Sequence, residues 1–191
     1  MLLSPNKKYQ LYSKIHLVPF AEYDLFPNIF HPLTFLNLNI NRGHFHPGTD
    51  FKLFELKDIL FSDLICYESS IPNIAREFIN KGSEFLIIQA NDGWLGDSYG
   101  PYQHFELARL RAIENRVPII RAANTGISGI IYPDGSVQKK VGIGKQQVFM
   151  EKIKFGENKS LYSIYGDIIA IVCFLVTTLF VGYICKKQYY S

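Results

Sequence analysis

The residue of this sequence best suited to covalent chemistry is Cys66. It directly follows the apolar stretch Ile59–Ile65 and precedes Tyr67 and Glu68. Layered α/β proteins present reactive groups at the ends of strands, and a cationic group beside a thiol favours the nucleophilic thiolate. The position therefore predicts a nucleophile, while a buried cysteine that packs as a small apolar residue stays open as the alternative.

A second spacing of interest is the His-x-His pair formed by His44 and His46, which metal ligands also use. No cluster of Asp, Glu or Cys accompanies the pair along the chain, and residues 31–50 have the composition of a loop. The pattern favours a solvated loop, so we predict no metal site and no cofactor. Because only one cysteine lies outside the C-terminal apolar run, a disulfide framework is excluded as well.

The elements that must position Cys66 alternate between the periodicities of strands and helices. This order predicts an α/β fold in which helices pack on a face of a layered sheet. Strands are predicted at residues 9–18, 51–56, 59–65, 84–89, 117–122 and 127–132, and helices at residues 73–80 and 103–115.

The first residues resemble part of a hairpin. Residues 5–8 have the composition of a turn, and the second strand is predicted to begin at Tyr9. Only residues 1–4 remain for the first strand. We therefore expect the chain to begin inside a domain.

Residues 168–185 form an 18-residue run in which only two threonines and one glycine fall outside the apolar set. As a helix the run spans about 27 Å, close to the ~30 Å hydrocarbon core of a bilayer. Lys186 and Lys187 follow it, and the positive-inside rule then predicts a cytoplasmic C-terminus with the body on the opposite face. A buried core helix is the alternative, which this length and composition disfavour.

The composition of the whole chain is that of a globular protein. Of its 191 residues, 48% are apolar and 19% are charged, which excludes a disordered, collagen-like or small disulfide-rich protein. The net charge of +3 comes with no basic run longer than a lysine doublet. No stripe exists to neutralise many phosphates, so nucleic acid is not an expected partner.

Several motifs occur in an order that one family shares. Together they resemble the bacterial apolipoprotein N-acyltransferases, membrane members of the nitrilase (carbon-nitrogen hydrolase) superfamily. The resemblance covers nearly the whole chain, and the departures at Ala21, Gly93 and Leu95 remove no functional group. The motifs are YSKIHLVPFAEY at residues 12–23, LICYE at 64–68, NDGWLGDSYGPYQH at 91–104, ARLRAIE at 108–114, RAANTG at 121–126 and YGD at 165–167.

The resemblance implies an acyl transfer that uses a Glu-Lys-Cys triad and needs no cofactor. Cys66 matches the nucleophile and Lys14 matches the triad lysine, while Glu22, Tyr67 and Glu68 match supporting positions of the active site. The cysteine would take an acyl chain from a phospholipid as a thioester. It would then pass the chain to the α-amine of the N-terminal, diacylated cysteine of a lipoprotein.

The triad glutamate of the family lies upstream of the lysine strand, in a Trp-Pro-Glu-like segment that no residue of this chain matches. We therefore expect a C-terminal fragment of the enzyme. Residues 1–160 would form part of a nitrilase-like α-β-β-α sandwich that is incomplete at its N-terminal side. Residues 161–191 would hold a juxtamembrane segment, a transmembrane helix at about 168–185 and a short cytoplasmic tail. The resemblance implies the bacterial inner membrane, with the catalytic part on the periplasmic side.

Two other interpretations remain open at this stage. In the first, the chain is a non-catalytic remnant, or a subunit that needs a separately encoded N-terminal half to supply the glutamate. In the second, it is a nitrilase-type or amidase-type hydrolase of small amides with the same cysteine and lysine chemistry. The C-terminal apolar run and the region around Gln103 and His104 favour the acyltransferase over the hydrolase.

Overall fold

The computed structural model describes residues 1–3, 9–19, 21–23, 45–156 and 159–190. Their helices and strands follow the α/β order expected from the sequence. They are β1 (Leu2–Leu3), β2 (Tyr9–Gln10), β3 (Phe54–Leu56), β4 (Ile59–Ile65), α1 (Pro72–Asn80), β5 (Phe85–Ala90), α2 (Gly100–Asn115), β6 (Ile119–Ala123), β7 (Ser128–Ile131), β8 (Val137–Val141), α3 (Leu161–Tyr165) and α4 (Ile168–Tyr189), with 3₁₀ turns at Cys66–Ser70 and Gly93–Leu95.

Strands β3 to β8 form one six-stranded sheet in sequential order. The central strands β4, β5 and β6 are parallel, and the outer pairs are antiparallel. Because connections between parallel strands are right-handed and the order advances in one direction, α1 and α2 lie on the same face of the sheet. The carboxyl ends of β4, β5 and β6 consequently meet at one edge.

The hydrophobic core lies between this helical layer and the sheet. The strands supply fully buried leucine and isoleucine side chains, and the helices supply phenylalanines and alanines to the same cluster. Strands β4 and β5 pair in parallel with each other and are mostly apolar, as is common in buried parallel sheets. Their predicted bounds therefore lie within one residue of those observed. The largest fully buried apolar side chains of the core are those of Phe78, Phe105, Leu64, Leu86, Ile88, Ile119, Ile127 and Ile131.

The hairpin expected at the first residues is confirmed by the antiparallel pairs Leu2 with Gln10 and Leu3 with Tyr9. Residues 4–8, which include its predicted turn, lie outside the described residues. The long strand predicted at residues 9–18 is wrong beyond Gln10. Residues 11–18 form a loop because their backbone donors bond to carboxylate side chains rather than to a neighbouring strand.

Two elements were not predicted from the sequence. Strand β8 carries Lys139 and Lys140 and, among the strands that the structure describes, pairs only with β7, at the edge of the sheet. Charged residues are common on edge strands, so the strand lacked the apolar alternation that reveals the others. Helix α3 has only five residues, too few to show a helical period.

Helix α4 extends the predicted apolar helix to 22 residues, with a mean hydropathy of 2.6 in its most apolar window. None of that window is buried against the rest of the described chain. By length and composition α4 is a candidate membrane span, and the alternative of a core helix does not fit its exposure.

Candidate active site

A cleft of about 680 Å³ opens at the edge where the carboxyl ends of β4, β5 and β6 meet. Each strand contributes the residue at its end, so the sheet topology itself brings together side chains that are far apart along the chain. Lys14 and Glu22 enter the cleft from the loop that follows β2. The lining residues are Lys14, Val18, Ala21, Glu22, Ile65, Cys66, Gln89, Ala90, Asn91, Trp94, Ala122, Ala123 and Asn124.

Cys66 is half-buried and has a backbone φ of 54°, in the left-handed region that non-glycine residues rarely adopt. The strand therefore ends abruptly at Ile65, and the 3₁₀ turn Cys66–Ser70 begins. Such a backbone conformation persists only where the surroundings hold it, and it is common at functional sites. The turn directs the chain away from the sheet and leaves the thiol at the cleft.

The carbonyl oxygen of Cys66 is held by two side chains. The hydroxyl of Ser69 donates to it over 2.8 Å, and His104 Nε2 lies 3.1 Å away. His104 Nε2 also lies 2.8 Å from Ser69 Oγ. These contacts replace the sheet partners that the carbonyl would have had if the strand had continued.

His104 is in turn held by a buried ion pair. Its Nδ1 lies 2.7 Å from Asp92 Oδ1, and Arg121 Nη2 donates to Asp92 Oδ2 over 2.8 Å. Burial opposes ionisation of Asp92, but the hydrogen bond from His104 and the charge of Arg121 outweigh it and lower the pKa of that carboxyl. Arg121 Nε also donates to the carbonyl of Ile127. A series of hydrogen-bonded, buried polar side chains thus connects β6 to the backbone of Cys66.

Lys14 is bound tightly by Glu22. The ammonium donates to both carboxylate oxygens over 2.8 and 2.7 Å, and the backbone N–H of Val18 donates to the same carboxylate over 2.8 Å. The carbonyl of Lys14 accepts from the N–H of Gly48 over 2.7 Å. Lys14 therefore stands at the cleft in a defined position, with part of its charge balanced by Glu22.

Glu68 connects the two halves of the site. Its fully buried carboxylate accepts from the hydroxyl of Tyr12 over 2.8 Å and from the backbone N–H groups of Ile15 and His16 over 2.6 and 3.1 Å. Its other oxygen accepts from the N–H of Ile65 over 2.8 Å. The carboxylate thus joins the residues that follow Lys14 to the residue that precedes Cys66. Burial, together with the nearby charge of this carboxylate, strongly raises the pKa of the Tyr12 hydroxyl.

A further buried carboxyl, that of Asp63, lies two residues before the end of β4. Gln89, which lines the cleft, donates to its Oδ2 over 2.6 Å. Its Oδ1 has no hydrogen-bond partner within the described chain. Burial raises the pKa of Asp63 to about 6, so a titratable group adjoins the cleft wall.

Of the predicted site residues, Cys66, Lys14 and Glu22 line one cleft. Glu68 lies beneath them as a structural connector and is not among the lining residues. Tyr67 is half-buried in the turn and does not line the cleft either.

Four residues were not singled out from the sequence, although three of them stand in the quoted motifs. Asp92, His104 and Arg121 belong to the NDGW, QH and RAANTG segments, but the pattern did not indicate that these segments meet. Ser69 lay outside the motifs. Ser69 lies in the turn at Cys66 itself, and only the packing of β5, β6 and α2 brings Asp92, Arg121 and His104 to that turn.

The described part of the chain contains no group of three or more His, Cys, Asp or Glu side chains arranged to hold a metal ion. His44 lies outside the described residues, so the His44 and His46 pair stays a matter of sequence pattern. The chemistry that the described cleft supports is nucleophilic attack by a thiol in a cleft that an ammonium group also lines.

Comparison with known proteins identifies the family of the chain. Residues 1–161 match the family model of the carbon-nitrogen hydrolases. The apolipoprotein N-acyltransferase of Geobacter metallireducens is 38% identical over 161 residues, which are 84% of this chain and 30% of the relative. That of Rickettsia prowazekii is 42% identical over 144 residues, covering 73% of this chain and 28% of the relative.

A third relative, apolipoprotein N-acyltransferase 2 of Treponema denticola, is 37% identical over 185 residues, covering 92% of this chain and 35% of its own length. The chain therefore spans about a third of the length of these curated relatives. The resemblance noted in the sequence motifs is confirmed at the level of the family. On the family match and these identities, the chain belongs to the carbon-nitrogen hydrolase family.

Proposed function

We propose that this chain is the nucleophile-bearing part of an apolipoprotein N-acyltransferase. The observation that carries the proposal is the shared cleft: Cys66 and Lys14 both line it, and the buried carboxylate of Glu68 bonds to the backbone beside each of them. The names of the relatives supply the substrate class. Cys66 accepts a fatty acyl chain from a phospholipid and delivers it to the α-amine of the N-terminal diacylglyceryl-cysteine of a lipoprotein.

In the first half of the reaction the Cys66 thiolate attacks an acyl ester carbonyl of the phospholipid. A C–S bond forms, the ester C–O bond breaks, and the lysophospholipid leaves with a proton. In this proposal Lys14 is the cation that favours the thiolate and stabilises the oxyanion of the tetrahedral intermediate. A single donor of this kind typically contributes about 10²–10³ in rate.

In the second half the α-amine of the lipoprotein attacks the thioester carbonyl. The amide C–N bond forms, the C–S bond breaks, and the amine loses a proton. Glu22 holds Lys14 in place through both steps, and Tyr67 and Glu68 shape the turn that carries the nucleophile.

Both halves need a general base, which commonly contributes about 10²–10⁴ in rate. No residue among 1–191 matches the family's triad glutamate. We therefore expect residues 1–191 alone to form the thioester poorly, and we propose that an N-terminal part, on the same or a separate chain, supplies the carboxylate. The division into a catalytic portion at residues 1–160 and a membrane portion at residues 161–191 belongs to this proposal.

The membrane arrangement is also proposed. Helix α4 would cross the bacterial inner membrane, with the body on the periplasmic side and Lys186 and Lys187 on the cytoplasmic side. Single cysteines at Ser136 and Ser191, in a background without Cys66, Cys173 and Cys185, test the orientation in spheroplasts. A membrane-impermeant maleimide should label Ser136→Cys and spare Ser191→Cys, and the reverse pattern would refute the orientation.

The catalytic proposal is tested by incubating the purified chain in mixed micelles with a phospholipid whose acyl chain is isotopically labelled. Intact-mass analysis should detect a labelled thioester on Cys66 at low yield, and at high yield once an N-terminal half of a relative is added. Cys66→Ser and Lys14→Met should lose the signal. Vigorous acylation of the isolated chain would refute the need for an upstream carboxylate.

The same assay separates the two alternatives. Hydrolysis of a small amide without any acyl thioester would favour a nitrilase-type or amidase-type enzyme. A chain that stays inactive with every N-terminal half, while its Cys66→Ser variant behaves identically in cells, would indicate a non-catalytic remnant.

A further inference from the structure

Helix α3 exposes apolar side chains and buries a polar one. Leu161 is 73% exposed, Ile164 48% and Tyr165 62%, whereas Ser163 is fully buried against the body. A helix in water shows the opposite arrangement, with its apolar face toward the core. A group of large exposed apolar side chains commonly marks a contact with a partner or a membrane.

The orientation of α3 is held by specific bonds. Ser160 caps its first turn by accepting from the N–H of Ser163 over 2.9 Å, and Ser160 also donates to the carbonyl of Glu114. The helix packs against both α1 and α2. The face that carries Leu161, Ile164 and Tyr165 therefore points outward because the polar face is fastened to the body.

Arg76 of α1 fastens the other end. Its Nε donates to the carbonyls of Tyr162 and Ser163 over 3.2 and 3.0 Å, and its Nη2 donates to that of Ile164 over 2.9 Å. The guanidinium also lies against Gly166, where an added Cβ would come within 3.3 Å of it and where φ is 63°. One planar cation thus satisfies the carbonyls that end α3 and supports the turn toward α4.

The turn is short. Only Gly166 and Asp167 separate α3 from α4, so at most about 11 Å of chain separates the Cα atoms of Tyr165 and Ile168. The headgroup layer on each side of a bilayer is about 5–8 Å thick. When α4 crosses the membrane with Ile168 at the edge of the hydrocarbon core, Tyr165 lies within that layer or at most a few Å beyond it. Tyrosine is enriched at this depth.

We propose that Leu161, Ile164 and Tyr165 form a membrane-contact surface that lies in the headgroup region of the bilayer, and that Arg76 locks the body to this surface. The inference rests on the proposed crossing of α4. The occupant is the lipid bilayer, because the surface is continuous with the membrane helix. The consequence is a fixed orientation of the body above the membrane from which its proposed acyl donor comes.

Tryptophan quenching by brominated phospholipids tests the depth of this surface. The sole tryptophan is Trp94, so a Trp94→Phe background allows one reporter at a time in vesicles of phosphatidylcholine. Leu161→Trp should be quenched most by lipid brominated near the headgroup. Leu179→Trp, in the middle of α4, should be quenched most by lipid brominated near the chain end. Leu56→Trp, at a residue that is 49% exposed on β3, should escape both.

The outcomes are distinguishable. If Leu179→Trp is quenched and Leu161→Trp behaves like Leu56→Trp, the membrane-contact surface is refuted while the crossing stands. If Leu179→Trp also escapes quenching, the proposed crossing is refuted and the surface with it. Equal quenching at Leu56→Trp would mean that the whole body is immersed, which would also overturn the proposal.

The role of Arg76 is tested by hydrogen exchange in the same vesicles. Arg76→Gln should raise the exchange rate of the α3 amides severalfold, and Arg76→Lys should do so too, because an ammonium cannot serve three carbonyls in the planar geometry of a guanidinium. Arg109→Gln is the matched control, since that arginine bonds to Gly135 and Glu106 instead. Unchanged α3 exchange in both Arg76 variants would refute the lock.

Discussion

The Nε2 atom of His104 lies 3.1 Å from the carbonyl oxygen of Cys66, across a separation of 38 residues in the sequence. This contact ends a buried series that runs from Arg121 through Asp92 to the imidazole. The candidate nucleophile is therefore held through its backbone by groups that do not themselves line the cleft. Its left-handed φ of 54° is the conformation that this series stabilises.

The first prediction concerns this support. His104→Asn should slow the alkylation of Cys66 by iodoacetamide about tenfold, because a lost hydrogen bond of roughly 1 kcal/mol or more loosens the turn. Mass spectrometry of the Cys66 peptide, in a background without Cys173 and Cys185, measures the rate. His46→Asn is the control, since that histidine is exposed. Equal rates in the two variants would show that the imidazole does not position the thiol.

The second prediction concerns Glu68. Glu68→Gln should lower the free energy of unfolding by about 3 kcal/mol, because an amide cannot accept all four hydrogen bonds that the carboxylate receives. Urea unfolding in detergent, followed by the fluorescence of Trp94, measures the change. Glu106→Gln is the control, since its carboxylate is 54% exposed and should contribute less than about 1 kcal/mol. Wild-type stability in Glu68→Gln would contradict a structural role.

The third prediction is a pH dependence that arises from Asp63. Its carboxyl has a pKa of about 6 in the folded chain and about 3.9 when unfolded. The protonated form is favoured on folding, so its stabilising contribution is full below about pH 4 and is lost as the pH rises through 6. Wild type should lose about 3 kcal/mol relative to Asp63→Asn between pH 3 and 7. Parallel stability profiles of the two proteins would disprove this assignment.

The fourth prediction concerns Gly126. A Cβ at this position would collide with the carboxylate of Asp92, so Gly126→Ala must displace the acceptor shared by His104 and Arg121. We expect a loss of about 2–4 kcal/mol in unfolding free energy, as for other broken buried polar networks. Gly142→Ala is the matched control, because no atom of the described residues lies within 4 Å of its added Cβ. The idea fails if both alanine variants unfold at the same urea concentration.

The order of elements around the site was predictable because it depends on local periodicity. The segments that form β4, β5 and α1 have apolar patterns typical of a buried strand or an amphipathic helix. Their predicted bounds differ from those observed by at most one residue. The apolar run of α4 was visible for the same reason. The pairing of Cys66 with Lys14 came from the motifs, and the structure brings both residues to one cleft.

What the sequence by itself determined was therefore the identity and order of the elements and the residue types suited to the chemistry. The tertiary structure alone decided that residues 11–18 form a loop, since N–H groups of this segment donate to the carboxylates of Glu22 and Glu68 instead of to a neighbouring strand. It also decided that Asp92, His104 and Arg121 meet beneath Cys66. Each outcome depends on a polar contact between residues far apart in the sequence, 52 residues for His16 and Glu68 and 38 residues for His104 and Cys66, and no local pattern encodes such partners.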